Sequence, residues 1–103
     1  MAIPVIPNIH QAIYAAVSEP KALDMDRWHT CETTHCRAGW VVTLAGEAGK
    51  QLEDRTTTLF AAQQIYKASG YAISPVRFYD RNEAALADMK RLAEEEAAVA
   101  VSH

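Results

Sequence analysis

At 103 residues and a formal charge of −3, the chain has room for one domain with a buried core and lacks the basic face that a phosphate-backbone binder needs. Half of the residues are apolar, with only four glycines and four prolines, a balance that predicts an all-α fold of about four close-packed helices rather than a turn-rich β fold. No apolar run approaches the roughly 20 residues that cross a bilayer, and Met1-Ala2-Ile3-Pro4 has no basic start of a signal peptide, so a cytoplasmic protein with neither a membrane nor a nucleic-acid partner is expected.

Residues 1–7 read as a frayed arm. Asn8 then suits the N-cap of a first helix, in which Ile9, Ile13 and Ala16 or Val17 recur at three- and four-residue spacing and mark the core face. Ser18-Glu19-Pro20 stops it, because the residue before proline is pushed out of the helical region. Leu23, Met25 and Trp28 anchor a connecting segment too short to be assigned as a strand. Thr33 or Thr34 is expected to cap a second helix, about Thr34 to Ala45, that is apolar almost all round and therefore central. Gly39 inside it costs about 1 kcal/mol relative to alanine, a cost that makes sense if another backbone or a tryptophan ring lies against that turn. Gly46 and Gly49 mark its end.

Lys50 to Arg55 is a polar stretch with room for one helical turn. Thr56 or Thr57 caps a third helix through Ile65 and Tyr66, stopped at Ser69-Gly70. Tyr71 to Tyr79 is irregular or extended around Pro75. Asp80 with Glu83 fits a capping box for the last helix, about Arg81 to Ala98. Its stripe is Ala85, Leu86, Met89, Leu92 and Ala93, and Lys90–Glu94 and Arg91–Glu95 pair on the wet side. Residues 99–103 are expected to fray, so residues 1–103 read as a single helical domain.

Chemistry is concentrated at one place. Both cysteines, both tryptophans and two of the four histidines lie between Trp28 and Trp40. His29, Cys31, His35 and Cys36 are zinc-ligand types, but neighbours on a helix point about 100° apart, so His35 and Cys36 diverge. A Cys31–Cys36 disulfide would close a very short loop of small benefit in a reducing cytosol. Cys36 or Cys31 could serve as a thiolate nucleophile with His29 or His35 as its base, yet no orienting third group is evident. The reading that prevails is packing: Cys36 buried, a threonine cap, His29 or His35 bonded to the loop, and Trp28 and Trp40 closing the core beneath. No cofactor is expected, with zinc as the alternative. Tyr71, Arg77, Phe78 and Tyr79 are candidate protein-contact residues, since aromatics with arginine on a loop are typical of such surfaces.

The segment Trp28-His29-Thr30-Cys31-Glu32-Thr33-Thr34-His35-Cys36-Arg37-Ala38-Gly39-Trp40 resembles a Trp-His-x-Cys-Gly-Thr-x-His-Cys-x-Ala-Gly-Trp pattern of small uncharacterised proteins from bacteria and their phages or prophages. Ile65-Tyr66-Lys67, Pro75-Val76-Arg77-Phe78-Tyr79 and Asn82 to Asp88 resemble the C-terminal half of such proteins. Glu32 stands where that pattern has glycine. The resemblance implies a mobile-element setting, in which small proteins often bind host machinery. The function expected is therefore a non-enzymatic accessory protein acting by protein–protein contact, an anti-defence inhibitor being one form. A thiol-dependent enzyme or redox protein is the alternative, as is a zinc- or small-molecule-binding module. A homo-oligomer is left open.

Overall fold

Burial of apolar stripes on five helices builds the molecule, and one short hairpin closes it. The computed structural model describes residues 2–102. Helix α1 is Ile9–Val17, strands β1 and β2 are His29–Cys31 and Thr34–His35, and helices α2, α3, α4 and α5 are Arg37–Leu44, Gly46–Arg55, Thr58–Ala68 and Asn82–Ser102. A 3₁₀ turn, Pro75–Tyr79, precedes α5. The expected four helices become five, and the all-α reading acquires a two-stranded antiparallel sheet.

The core is formed by Ile9, Ile13 and Val17 of α1, Val41 and Val42 of α2, Ala61, Ala62, Ile65 and Tyr66 of α4, and Ala85 and Met89 of α5, with Phe78 from the 3₁₀ turn. These are the helical-period positions of each segment. Leu86, expected in the α5 stripe, is exposed instead. The N-terminal arm is pinned at its end, where Ile6 is buried and its N–H donates to Ser69 Oγ at 3.0 Å.

Helix ends show where local rules held and where tertiary contacts took over. Thr57 caps α4 as expected, accepting from Phe60 N–H. Asn8 sits at the N-cap of α1 with φ 52° and no side-chain bond. Glu96 of α5 supplies the missing acceptor, taking Gln11 N–H at 2.9 Å and His10 N–H at 3.4 Å. A carboxylate is well placed at that positive end. The expected Asp80–Glu83 box is replaced as well. The Arg81 carbonyl accepts the first helical bond of α5, from Ala85 N–H, and Asn82 Oδ1 turns back to accept from Met25 N–H at 2.7 Å. Arg91–Glu95 pairs at 3.1 Å. The helix continues through Ser102 rather than ending at Ala98, while Met1 and His103 lie outside the described residues.

The central segment differs most from expectation. Thr34 and His35 belong to β2, so the helix starts three residues later. The Cys36 thiol, not a threonine, accepts Gly39 N–H at 3.3 Å. Gly46, at φ +70°, forms the joint from which the chain re-enters helix. Gly49 does not end a helix. It lies inside α3, where a Cβ would stand 2.5 Å from the Val42 carbonyl, so the two short helices approach backbone to backbone.

Candidate functional site

The hairpin pairs His29 with His35 and Cys31 with Thr34. Its other edge is tied to the preceding segment: His35 N–H donates to Ala22 O and Asp24 N–H to His35 O, each at 3.0 Å. Thr34 Oγ1 donates to Lys21 O at 2.7 Å. Beneath it, Trp40 Nε1–H donates to Ala22 O at 2.7 Å, and the His35 ring stands edge-on to the indole at 4.8 Å. Gly39 is needed here because a Cβ would come within 2.0 Å of the Trp28 carbonyl, which itself accepts from Cys36 N–H. The close backbone approach expected at Gly39 is this contact.

The two histidines meet each other. His29 Nδ1 lies 2.7 Å from His35 Nδ1, His29 Nε2 lies 2.6 Å from Glu53 Oε2, and His35 Nε2 lies 2.9 Å from the Glu32 carbonyl. Three contacts need three hydrogens, and two neutral imidazoles carry one each. Thr58 Oγ1 also donates to Glu53 Oε2 at 2.7 Å. Every ring nitrogen of the pair is committed, and the network clamps the hairpin to α3 and the start of α4.

The thiols are free and unlike. Cys31 is exposed and Cys36 buried. The Thr34 hydroxyl, then the Thr33 amide and hydroxyl, hold the Cys31 thiol down at about 7. Burial pushes the Cys36 thiol up, against the opposing Gly39 amide. Among the described residues, no three His, Cys, Asp or Glu side chains are grouped to hold a metal ion. His29 and His35 are spent on one another and Cys36 on the α2 cap, while Cys31 stands exposed beside Thr33.

Cys31, His29 and His35 open onto a cleft of about 510 Å³ that reaches across to Glu47, Lys50 and Glu53 of α3. On a different face, the 3₁₀ turn sorts the contact residues expected from sequence. Tyr79 is 65% exposed and meets Trp28 edge-on at 6.2 Å. Val76, three residues before it, is also exposed. Trp28, expected in the core, is 39% exposed, whereas Tyr66 and Phe78 are buried there. Phe78 is only 1% exposed and packs against Tyr66, which removes it from any contact surface. Tyr71 is half-buried on the His10 ring at 4.0 Å.

Arg77 donates to Asp88 Oδ1 at 2.7 Å and leads to a cluster that sequence reasoning missed. Fully buried Arg37 donates through Nη1 to Asp88 Oδ2 at 2.7 Å and through Nε to Tyr66 Oη at 3.1 Å, while Arg91 donates to Asp88 Oδ1 at 2.8 Å. The signal was available: Arg37 is the one charge in an otherwise apolar helix, and such a side chain is either solvated or paired.

Comparison with protein-family models, with curated proteins and with solved structures gave no match for this chain.

Proposed function

We propose that this protein is a small non-enzymatic binding module that acts by protein–protein contact. Its partner belongs to host machinery in the bacterial cytosol, and the protein to a phage or prophage; inhibition of a host defence is one form of that action. One observation carries the reading: Trp28 and Tyr79 stand edge to face and exposed, on backbone tied to the rest of the fold by hydrogen bonds and ion pairs. Trp and Tyr give large contact area for little lost side-chain freedom, and such anchors dominate protein interfaces. Arg77 and Arg37 fix the 3₁₀ turn through Asp88. No helix of the described residues is long and apolar enough to cross a membrane. The phage setting is supported only by the resemblance, carried by residues 28–40 and by the stretches 65–67, 75–79 and 82–88.

Capture from bacterial lysate, comparing the wild type with a Trp28→Ser/Tyr79→Ser variant of unchanged circular dichroism, tests the reading. A partner retained by the wild type and lost by the variant is expected. Equal capture by both, or recovery of a small molecule without protein, would overturn it.

A second reading rests on Cys31, whose exposed thiol at about 7 lines the 510 Å³ cleft. A thiol held at about 7 is substantially thiolate near neutral pH without a partner base, while the hydrogen-bond commitments of His29 and His35 leave neither ring free to move a proton for it. The cleft then serves as a ligand or partner surface in which Cys31 is the reactive point.

A further inference from the structure

The two imidazoles of the hairpin face each other in a way that their hydrogen bonds leave incomplete. His35 Nε2 lies 2.9 Å from the Glu32 carbonyl, which only accepts, so this nitrogen carries a hydrogen. His29 Nε2 lies 2.6 Å from the Glu53 carboxylate, which accepts in the same way. A neutral ring with its hydrogen on Nε2 presents a lone pair at Nδ1. The two Nδ1 atoms are 2.7 Å apart, with the ring planes at 84°. Lone pairs at that separation need a cation between them, either a proton or a metal ion. We propose that the His29–His35 pair is a clip for a divalent transition metal ion of the Zn²⁺ class, held through the two Nδ1 atoms, with its remaining positions open to water in the 510 Å³ cleft.

Three features favour a metal ion over a proton. The outer partners are those of metal-binding histidines, which give the far ring N–H to a carboxylate or a backbone carbonyl and are thereby fixed in tautomer and direction. Imidazole also suits Zn²⁺, Cu²⁺ and Ni²⁺ as a ligand. Among the described residues lining the cleft, Glu32, Glu47 and Glu53 stand against a single Lys50, a balance that concentrates cations there. The pair has room to open. Two nitrogens bound to a tetrahedral ion stand roughly 3.3 Å apart, so the rings must part by about 0.6 Å. His35 is buried against Trp40 and stays in place, whereas the His29 side chain is 35% exposed and able to give way. With two protein ligands rather than the four of a closed structural site, the clip holds an exchangeable ion.

The test is a titration of the full, tag-free and reduced chain with zinc chloride at pH 7, read by calorimetry and by long-range ¹H–¹⁵N NMR of the histidine rings. One equivalent of zinc should bind saturably and shift both the His29 and His35 Nδ1 resonances, while the two Nε2–H groups keep their hydrogens. His29→Gln should weaken binding about tenfold or more. Glu53→Gln, which keeps an acceptor for His29 but removes the charge, should weaken it about tenfold. Cys31→Ser should bind zinc as the wild type does, which separates the imidazole pair from metal taken by an exposed thiol. Binding that does not saturate by about 1 mM zinc, ring shifts that report coordination through Nε2, or an affinity unchanged by His29→Gln would overturn the proposal and leave a proton to bridge the pair.

Discussion

Cys31 and Cys36 lie five positions apart in the chain and occupy opposite environments. Threonine donors and open solvent favour the Cys31 thiolate; burial disfavours it at Cys36, whose sulfur is already the acceptor that starts α2. Reactivity follows the thiolate fraction. Native protein treated with iodoacetamide should therefore take up one label, on Cys31, at a rate that rises through half its maximum near pH 7. Cys36 should label only in denaturant. Equal labelling of both under native conditions, read by mass spectrometry, would contradict the assignment. The crowding of thiol and imidazole groups was legible in the sequence. Their partners were not, because Glu53 reaches His29 across 24 residues and no local pattern announces that contact.

Two elements depend on single residues. At Gly39 a methyl group would meet the Trp28 carbonyl at 2.0 Å. Gly39→Ala should therefore cost about 3 kcal/mol through overpacking, seen as a lower urea midpoint. Asp88 joins α5 to Arg37 of α2 and to Arg77 of the 3₁₀ turn. Burial works against its charge, yet Arg37 and Arg91 outweigh that and hold its carboxyl below the usual range. A carboxyl that binds its proton less readily folded than unfolded contributes fully above the unfolded value, near pH 4. That contribution drains as pH falls towards the folded value. Asp88→Asn should lose about 3 kcal/mol at pH 7, since it strands a buried guanidinium. It should also flatten the loss of stability that the wild type shows below pH 4. Urea midpoints at pH 7, 4 and 3 check both. Elements governed by local chemistry were readable: the Ile9–Ile13–Val17 face and the Thr57 cap needed no tertiary information. The hairpin was not, since Glu32-Thr33 is no turn signature, and neither was α3, because Gly46 and Gly49 look alike in sequence. One turns the chain, while the other lets α3 approach Val42.

For the whole molecule, long-range polar ties set what apolar burial alone leaves undetermined. Glu96 caps α1 from α5 across 85 residues, Asp88 gathers α2, the 3₁₀ turn and α5, and Glu53 holds the hairpin. Sequence reading located the core stripes and placed the reactive cluster correctly in the chain. It put Trp28 inside and Phe78 outside, because which aromatic fills the core depends on how Pro75–Tyr79 folds onto α4. The segment Trp28–Trp40 is then a clamp, with recognition on the faces it holds in place. A double-mutant cycle of His29→Ala and Glu53→Ala, followed by urea unfolding at pH 6, tests that claim most directly. The 2.6 Å contact, partly open to solvent on the His29 side, should give a coupling of about 1 kcal/mol. A coupling indistinguishable from zero would show that the histidines do not clamp the hairpin, and would return the cluster to candidacy as reactive groups.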